Sequence, residues 1–365
     1  MIVGSATGTL RKFKEPLNKS SAAVSGSFPP TLRYRKREIH TVFRRFQYLD
    51  WPKNLLLTVL ADLIRASLIA SGCKGVKTVH YVDAKGILSN SNGMNIYRGC
   101  SHGCIYCDSR SLCYGFTHPF EDIEVKRNAP ELLERALRSK RKKCMIGTGS
   151  MCDPYLHAEE TLRLTRRCLE IIEKYGYGVA IQTKSTRILQ DMELLKSINR
   201  RAKAVVQMTL TTCDESLCRV LEPNVSTTRE RFDALMQFKQ AGIPTVVWMV
   251  PILPRINDTP ENITGLLNYC VAAGVKGIIC PDIGVTLRDG SREYFYRALD
   301  KHFPGLKDWY IRTYGNAYEL LSPRHEALME LLANTCTQNG ILYRPAECFQ
   351  YLRTLPEADT QLSLF

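Results

Sequence analysis

The sequence predicts a parallel α/β protein, a barrel or partial barrel, and three observations carry that reading. Six short apolar runs recur along the chain, helical patterns separate them, and the runs begin 50, 34, 27, 39 and 31 residues apart. Units of that size are β-strand–helix units, and six in succession build a parallel barrel or part of one. A doubly wound open sheet is the alternative, and periodicity alone does not separate the two.

The runs are Met94–Tyr97, Cys144–Gly147, Gly178–Thr183, Val205–Thr211, Pro244–Val250 and Val275–Cys280. Each is mostly apolar and flanked by Gly, Pro or a polar turn, as strands buried on both faces are. Between them, Leu164, Cys168, Ile171, Ile172 and Tyr175 fall on one helical face, with Gly176 placed to end the helix. Thr227 and Glu230 form a capping box ahead of Phe232, Leu235 and Met236. Thr259-Pro260 opens a helix striped by Ile263, Leu266, Leu267, Cys270 and Val271, and Gly274 closes it. After Cys280 the regularity fades, with one helix expected near Pro323–Thr335.

Three regions follow: residues 1–75 as a basic N-terminal extension of uncertain fold, 76–285 as the barrel, and 286–365 as a mixed C-terminal region closing it. The formal net charge is +14, and residues 1–75 hold 13 Lys/Arg against 4 Asp/Glu. Within that extension Thr31–Arg45 interleaves basic residues with aromatics, as nucleic-acid contact surfaces do. Its bland reading is a solvated basic segment, and the same holds for Arg138–Lys143 ahead of the second run. Leu55–Ser71 is the longest apolar stretch, but Asp62 and Arg65 interrupt it, so it reads as a helix and not as a membrane span. The first 25 residues lack the apolar core of a signal peptide. With 14 cysteines in a chain of this length, a reducing cytoplasm is expected, in which some thiols bind metal and others are small buried residues. Cys144, Cys168, Cys270 and Cys280 fall on apolar faces and read as core.

The decisive segment is Cys100-Ser-His-Gly-Cys104-Ile-Tyr-Cys107, directly after the first run. Gly99 and Gly103 let a short loop bring three thiolates together. Three thiolates serve three irons of a [4Fe–4S] cube and leave the fourth iron open. Structural zinc asks for four protein ligands, usually in two pairs. His102 or Cys113 could add a fourth, but no second C-x2-C pair exists in the chain.

This C-x3-C-x2-C loop, with Tyr106 before its last cysteine, resembles the radical S-adenosylmethionine (SAM) superfamily, and within it the spore-photoproduct-lyase-like (DNA repair photolyase-like) branch. The resemblance covers roughly residues 78–320. It rests on Met94–Arg110 (MNIYRGCSHGCIYCDSR), Gly147–Tyr155 (GTGSMCDPY), Gln182–Ser185 (QTKS), Leu221–Asn224 (LEPN) and Pro251–Asp258 (PILPRIND). It implies a partial (β/α)6 barrel, a [4Fe–4S] cluster on Cys100, Cys104 and Cys107, and S-adenosyl-L-methionine chelating the open iron. One electron would cleave the sulfonium, and a 5′-deoxyadenosyl radical would take hydrogen from a substrate. A flavodoxin or ferredoxin type electron donor is implied, as is a DNA or RNA substrate. The same chemistry on a peptide or small molecule, and a non-catalytic zinc-stabilised binding protein, are the alternatives.

The resemblance also suggests roles beyond the cluster. Lys184 would pair with the methionyl carboxylate, and Thr148 and Ser150 would accept from the methionyl amino group. Thr209 would contact ribose, and the Tyr106 backbone carbonyl would receive the adenine amino group. Glu222 would bind ribose hydroxyls or, preferably, lock a loop arginine. Cys152 is the candidate hydrogen-atom donor to a product radical, because S–H is a weak bond. In the spore lyase that cysteine aligns two residues earlier, where this chain has Ser150. Asp108 is a second departure, since tyrosine is expected there. Arg288, Arg292 and Tyr296 could reach a substrate across the barrel mouth, although a solvated helix face is the plainer reading.

Overall fold

The computed structural model describes residues 79–356. The basic extension, its Thr31–Arg45 segment and the Leu55–Ser71 stretch lie outside the described residues. The described chain falls in one compact unit.

It opens with four short strands, β1 (Val79–Val82), β2 (Gly93–Met94), β3 (Tyr97–Arg98) and β4 (Ile123–Lys126). Five strands separated by helices follow: β5 (Met145–Thr148), β6 (Gly178–Thr183), β7 (Ala204–Thr209), β8 (Thr245–Trp248) and β9 (Gly277–Ile279). A final pair, β10 (Gly284–Thr286) and β11 (Glu319–Leu321), is antiparallel. The main sheet runs β2-β5-β6-β7-β8-β9 with every neighbouring pair parallel. Strand order follows chain order without the reversal that defines a doubly wound sheet, so the sheet winds one way, as a partial barrel does.

The first expected strand is divided. Met94 stays in the main sheet, whereas Tyr97 and Arg98 pair with β4 in a separate three-stranded sheet of order β1-β4-β3. The chain changes sheets between them, and the cysteine loop leaves directly from the end of β3. The patterns of β1, β4, β10 and β11 are too short or too polar to stand out in the sequence. The helices agree well: Leu164–Lys174 with Gly176 in the left-handed region beyond it, Thr228–Gln240 with the complete Thr227/Glu230 capping box, and Pro260–Ala273 capped by Gly274. The last expected helix lies at His325–Gln338.

Alternation along the strands assigns the two faces. Ile146, Val179, Ile181, Val206, Met208, Val247 and Ile278 point outward into the main core, against helix residues such as Leu169, Ile198, Phe238 and Leu266. Met145, Ala180, Val205, Val246 and Ile279 point inward, where Cys348 and Leu352 of helix Pro345–Arg353 pack on them. That helix fills the N-terminal end of the concave face. The same inward register continues to Gln182, Lys184, Thr209, Trp248 and Val250, which line a cavity at the C-terminal strand ends. Trp248 Nε1 donates to Gln207 Oε1 at 2.9 Å between the two zones. No described helix is long and apolar enough to cross a membrane.

Candidate active site

The cavity at the C-terminal strand ends has a volume of about 410 Å³, within the range of small-molecule sites. Cys100, Cys104 and Cys107 all line it. Their loop is held by backbone bonds from both sides: Cys100 N donates to Phe120 O (2.9 Å), Ile105 N to Leu221 O (3.0 Å) and Asn224 N to His102 O (3.1 Å). Asn224 Nδ2 adds a bond to Ser101 O at 3.2 Å. The LEPN segment therefore cradles the cysteine loop. Gly99 has φ +84°, and a Cβ there would stand 2.6 Å from Phe120 O, so only glycine fits.

A second junction centres on Asp153. Its carboxylate accepts from Thr183 Oγ1 (2.7 Å), Lys184 N (2.7 Å) and Tyr155 N (2.8 Å), and His102 Nδ1 lies 3.6 Å away. One buried carboxylate thus joins the cysteine loop, the loop after β5 and the end of β6. Gly149, at φ +99°, lets the β5 loop cross Gln182, whose carbonyl oxygen a Cβ would meet at 2.0 Å.

Electrostatics differ among the three cysteines. A hydrogen bond from Cys152, then the neighbouring His102, holds the Cys100 thiol well below its ordinary range. Burial raises Cys104 and Cys107. Half-buried Lys184 loses hydration, yet Cys104 and Glu222 overcome that loss and keep its ammonium above its ordinary range. Its Nζ lies 5.8 Å from the Tyr106 ring centroid. The loop fits an iron–sulfur cube better than a single ion. A tetrahedral zinc with Zn–S near 2.3 Å places its sulfurs about 3.8 Å apart. Among the described residues, no three of Cys100, His102, Cys104 and Cys107 bring ligand atoms within 4.8 Å of one another. Cys113 is exposed and does not line the cavity.

The other sequence candidates divide into two groups. Tyr106, Ser150, Cys152, Lys184 and Thr209 line the cavity with the triad. Thr148 is buried at the end of β5 and does not line it. Nor does Glu222, which is fully buried, paired with Arg231 and accepting from the Tyr106 hydroxyl. The arginine it locks belongs to helix Thr228–Gln240 and not to a loop. Arg231 also donates to Thr209 O (2.6 Å) and Ser226 O (2.9 Å). Asp108 lines the cavity and is engaged by Arg288 Nη1 (3.1 Å) and the Tyr114 hydroxyl (3.0 Å). Arg288 is further tied to Tyr318, and Arg292 donates to the carbonyls of Leu287 and Ala317. Tyr296 packs beside Phe295. Arg292 and Tyr296 are fastened within the C-terminal region, whereas Arg288 ties that region to Asp108 beside the cysteine loop. The sequence reading missed Asp153 as a junction, although its place between Cys152 and Pro154 marked a fixed turn.

Residues 94–267 match the Radical SAM superfamily. An uncharacterised protein of Mycobacterium tuberculosis (strain H37Rv) is 29% identical over 253 residues, 66% of this chain and 72% of the relative. An uncharacterised protein of Methanocaldococcus jannaschii is 31% identical over 167 residues, 45% of this chain and 61% of its own. Among solved structures, spore photoproduct lyase complexed with dinucleoside spore photoproduct has a TM-score of 0.55 at 13% identity, covering 73% of this chain and 81% of the lyase. That likeness is one of fold.

Proposed function

We propose that this chain, whose residues 94–267 match the Radical SAM superfamily, is an enzyme of that type that uses a [4Fe–4S] cluster and S-adenosylmethionine and acts on nucleic acid, as a lesion-reversing or modifying enzyme. When bound, the cluster would supply the electron for reductive cleavage of S-adenosylmethionine, the chemistry that lets the enzyme take hydrogen from its substrate.

In this reading Cys100, Cys104 and Cys107 hold the cluster. Lys184 pairs with the methionyl carboxylate, Ser150 accepts from the methionyl amino group, Thr209 meets the ribose, and the Tyr106 backbone carbonyl receives the adenine amino group. Cys152 would give its S–H hydrogen atom to the product radical, and the resulting thiyl would regain an electron from the flavodoxin or ferredoxin type donor and a proton from solvent. Glu222 and Thr148 support the walls from behind. Among the described residues, 79–285 form the barrel, Thr286 and Glu319–Leu321 flank its mouth, and helix Pro345–Arg353 fills the opposite end. The observation that carries the reading is the meeting of the cysteine loop, Lys184, Ser150, Thr209 and Cys152 around one cavity. The nucleic-acid assignment draws on the charge of +14 and on the likeness of fold to a lyase complexed with a dinucleoside spore photoproduct. A flavodoxin or ferredoxin type donor would reduce the cluster in the cytoplasm, where the cysteines stay reduced.

The test is anaerobic reconstitution followed by incubation with dithionite and S-adenosylmethionine. We expect about four irons and four sulfides per chain, and 5′-deoxyadenosine that disappears in Cys104→Ala. Oligonucleotide binding should fall steeply with salt. A colourless protein with one zinc would end the catalytic reading. Binding that ignores salt would remove the nucleic-acid assignment and favour a peptide or small molecule.

A further inference from the structure

We propose that His80, His118 and Glu124 form a second metal site, outside the cysteine cavity, for a divalent ion of the zinc class. His80 on β1 and Glu124 on β4 are direct partners in the parallel register, so their side chains leave the small sheet on one face. His118 arrives from the loop ahead of β4. One ligand atom from each residue lies within 4.8 Å of the other two, and the two rings meet edge to face at 4.6 Å.

The hydrogen bonding explains why a cation belongs there. His118 Nδ1 is 3.0 Å from Pro119 O, a carbonyl that can only accept. Nδ1 therefore carries the hydrogen, and Nε2 presents a lone pair. That Nε2 is buried with no hydrogen-bond partner and lies 3.8 Å from Glu124 Oε2. His80 Nδ1 is also buried with no hydrogen-bond partner, 3.2 Å from Asp122 Oδ1. Ring nitrogens thus face carboxylate oxygens twice in one small volume. At His118 the lone pair faces the Glu124 carboxylate, a repulsive contact that an ion between them turns attractive. A histidine donating its other nitrogen to a backbone carbonyl is the usual outer arrangement of a metal ligand. Two imidazoles and a carboxylate suit zinc, with a fourth position open to water or to nearby Asp122.

Arg98 Nη1 lies 3.7 Å from Glu124 Oε2. However, its guanidinium is spent on the Tyr114 and Gly115 carbonyls and on the Phe116 ring, which leaves the histidine side of the carboxylate to another cation. The site also bears on the catalytic loop. Phe120, two residues from His118, gives its carbonyl to Cys100 N. An ion at His118 and Glu124 would brace that segment from both ends.

The test uses anaerobically prepared, cluster-loaded protein, exposed to zinc chloride, dialysed against metal-free buffer and analysed for zinc and iron by mass spectrometry. We expect about one zinc per chain, lost in His118→Gln and in Glu124→Gln while iron is retained. Zinc should also raise the thermal midpoint of the wild type and leave both variants unmoved, a readout that shows each variant still folds. Retained iron in the variants rules out global misfolding as the cause. No zinc on the wild type, or zinc that persists in both variants, overturns the proposal. So does zinc that vanishes in Cys104→Ala but not in the histidine variant, since that ion would sit on the cysteines.

Discussion

Cys152 holds its Sγ 2.7 Å from the backbone carbonyl oxygen of Gly99, the residue before the first cysteine of the triad. The thiol is buried, faces the cavity and fastens the loop after β5 to the cysteine loop. Positioning and hydrogen donation are separable here. Cys152→Ser keeps a donor for Gly99 but replaces a weak S–H bond by a strong O–H bond. If Cys152 quenches the product radical, the serine variant retains iron and 5′-deoxyadenosine formation but yields less repaired or modified product per 5′-deoxyadenosine. Equal yields in the two proteins would assign Cys152 to packing alone.

The Glu222–Arg231 pair is a stability device. Both side chains are fully buried, and the guanidinium also ties helix Thr228–Gln240 to the Thr209 carbonyl at the end of β7. Removing one partner leaves the other charged and dry, which costs about 3–5 kcal/mol. Arg231→Met should lower the denaturation free energy by about that amount, and Arg231→Met with Glu222→Leu should recover part of it. Because Glu222 does not line the cavity, Glu222→Gln should reduce the S-adenosylmethionine affinity of the folded protein far less than Lys184→Met does, as measured by calorimetry. A large loss of affinity in that variant would return Glu222 to the ligand.

The parts of this molecule that repeat are legible in the sequence alone. Strands buried on both faces announce themselves as apolar runs, and β6 coincides with Gly178–Thr183. The capping box at Thr227 and the glycine stop at Gly274 work because each satisfies or redirects backbone groups locally. The cysteine loop was legible for a similar reason, since its spacing is local. What depends on distant partners was not. Nothing near Glu222 in the chain says that its arginine is nine residues on and that Tyr106 is 116 residues back. His80, His118 and Glu124 meet only because β1 and β4 pair in parallel, and neither strand has a pattern strong enough to be read.

Lys184 supplies a test of cofactor placement that leaves the cluster in position. Its ammonium is kept above the ordinary range by Cys104 and Glu222 against the cost of burial, so it meets the cavity as a charge. A hydrogen bond to a charged group contributes about 1.5–3 kcal/mol. Lys184→Met should therefore weaken S-adenosylmethionine binding roughly 10- to 100-fold, with iron content unchanged. Undiminished affinity would place the methionyl carboxylate elsewhere.

A pH dependence follows from Glu159, whose carboxylate is fully buried. It accepts from the Tyr97 hydroxyl, from Thr165 N at 2.8 Å and from Arg166 N at 3.3 Å. Burial outweighs these donors and pushes its pKa up to about 7. In the unfolded chain the same group titrates near 4.5. Between those two values the folded state holds a proton that the unfolded state has lost. Stability from this group is thus complete below pH 4.5 and declines as pH rises through about 7. At 1.36 kcal/mol per unit, the full loss is about 3 kcal/mol. Glu159→Gln keeps a neutral side chain of the same shape at every pH. Denaturation free energies measured at pH 5, 6, 7 and 8 should fall for the wild type relative to the glutamine variant, most steeply between pH 5 and 7. A difference that stays flat over that range would mean that the three donors, and not burial, set the charge of Glu159.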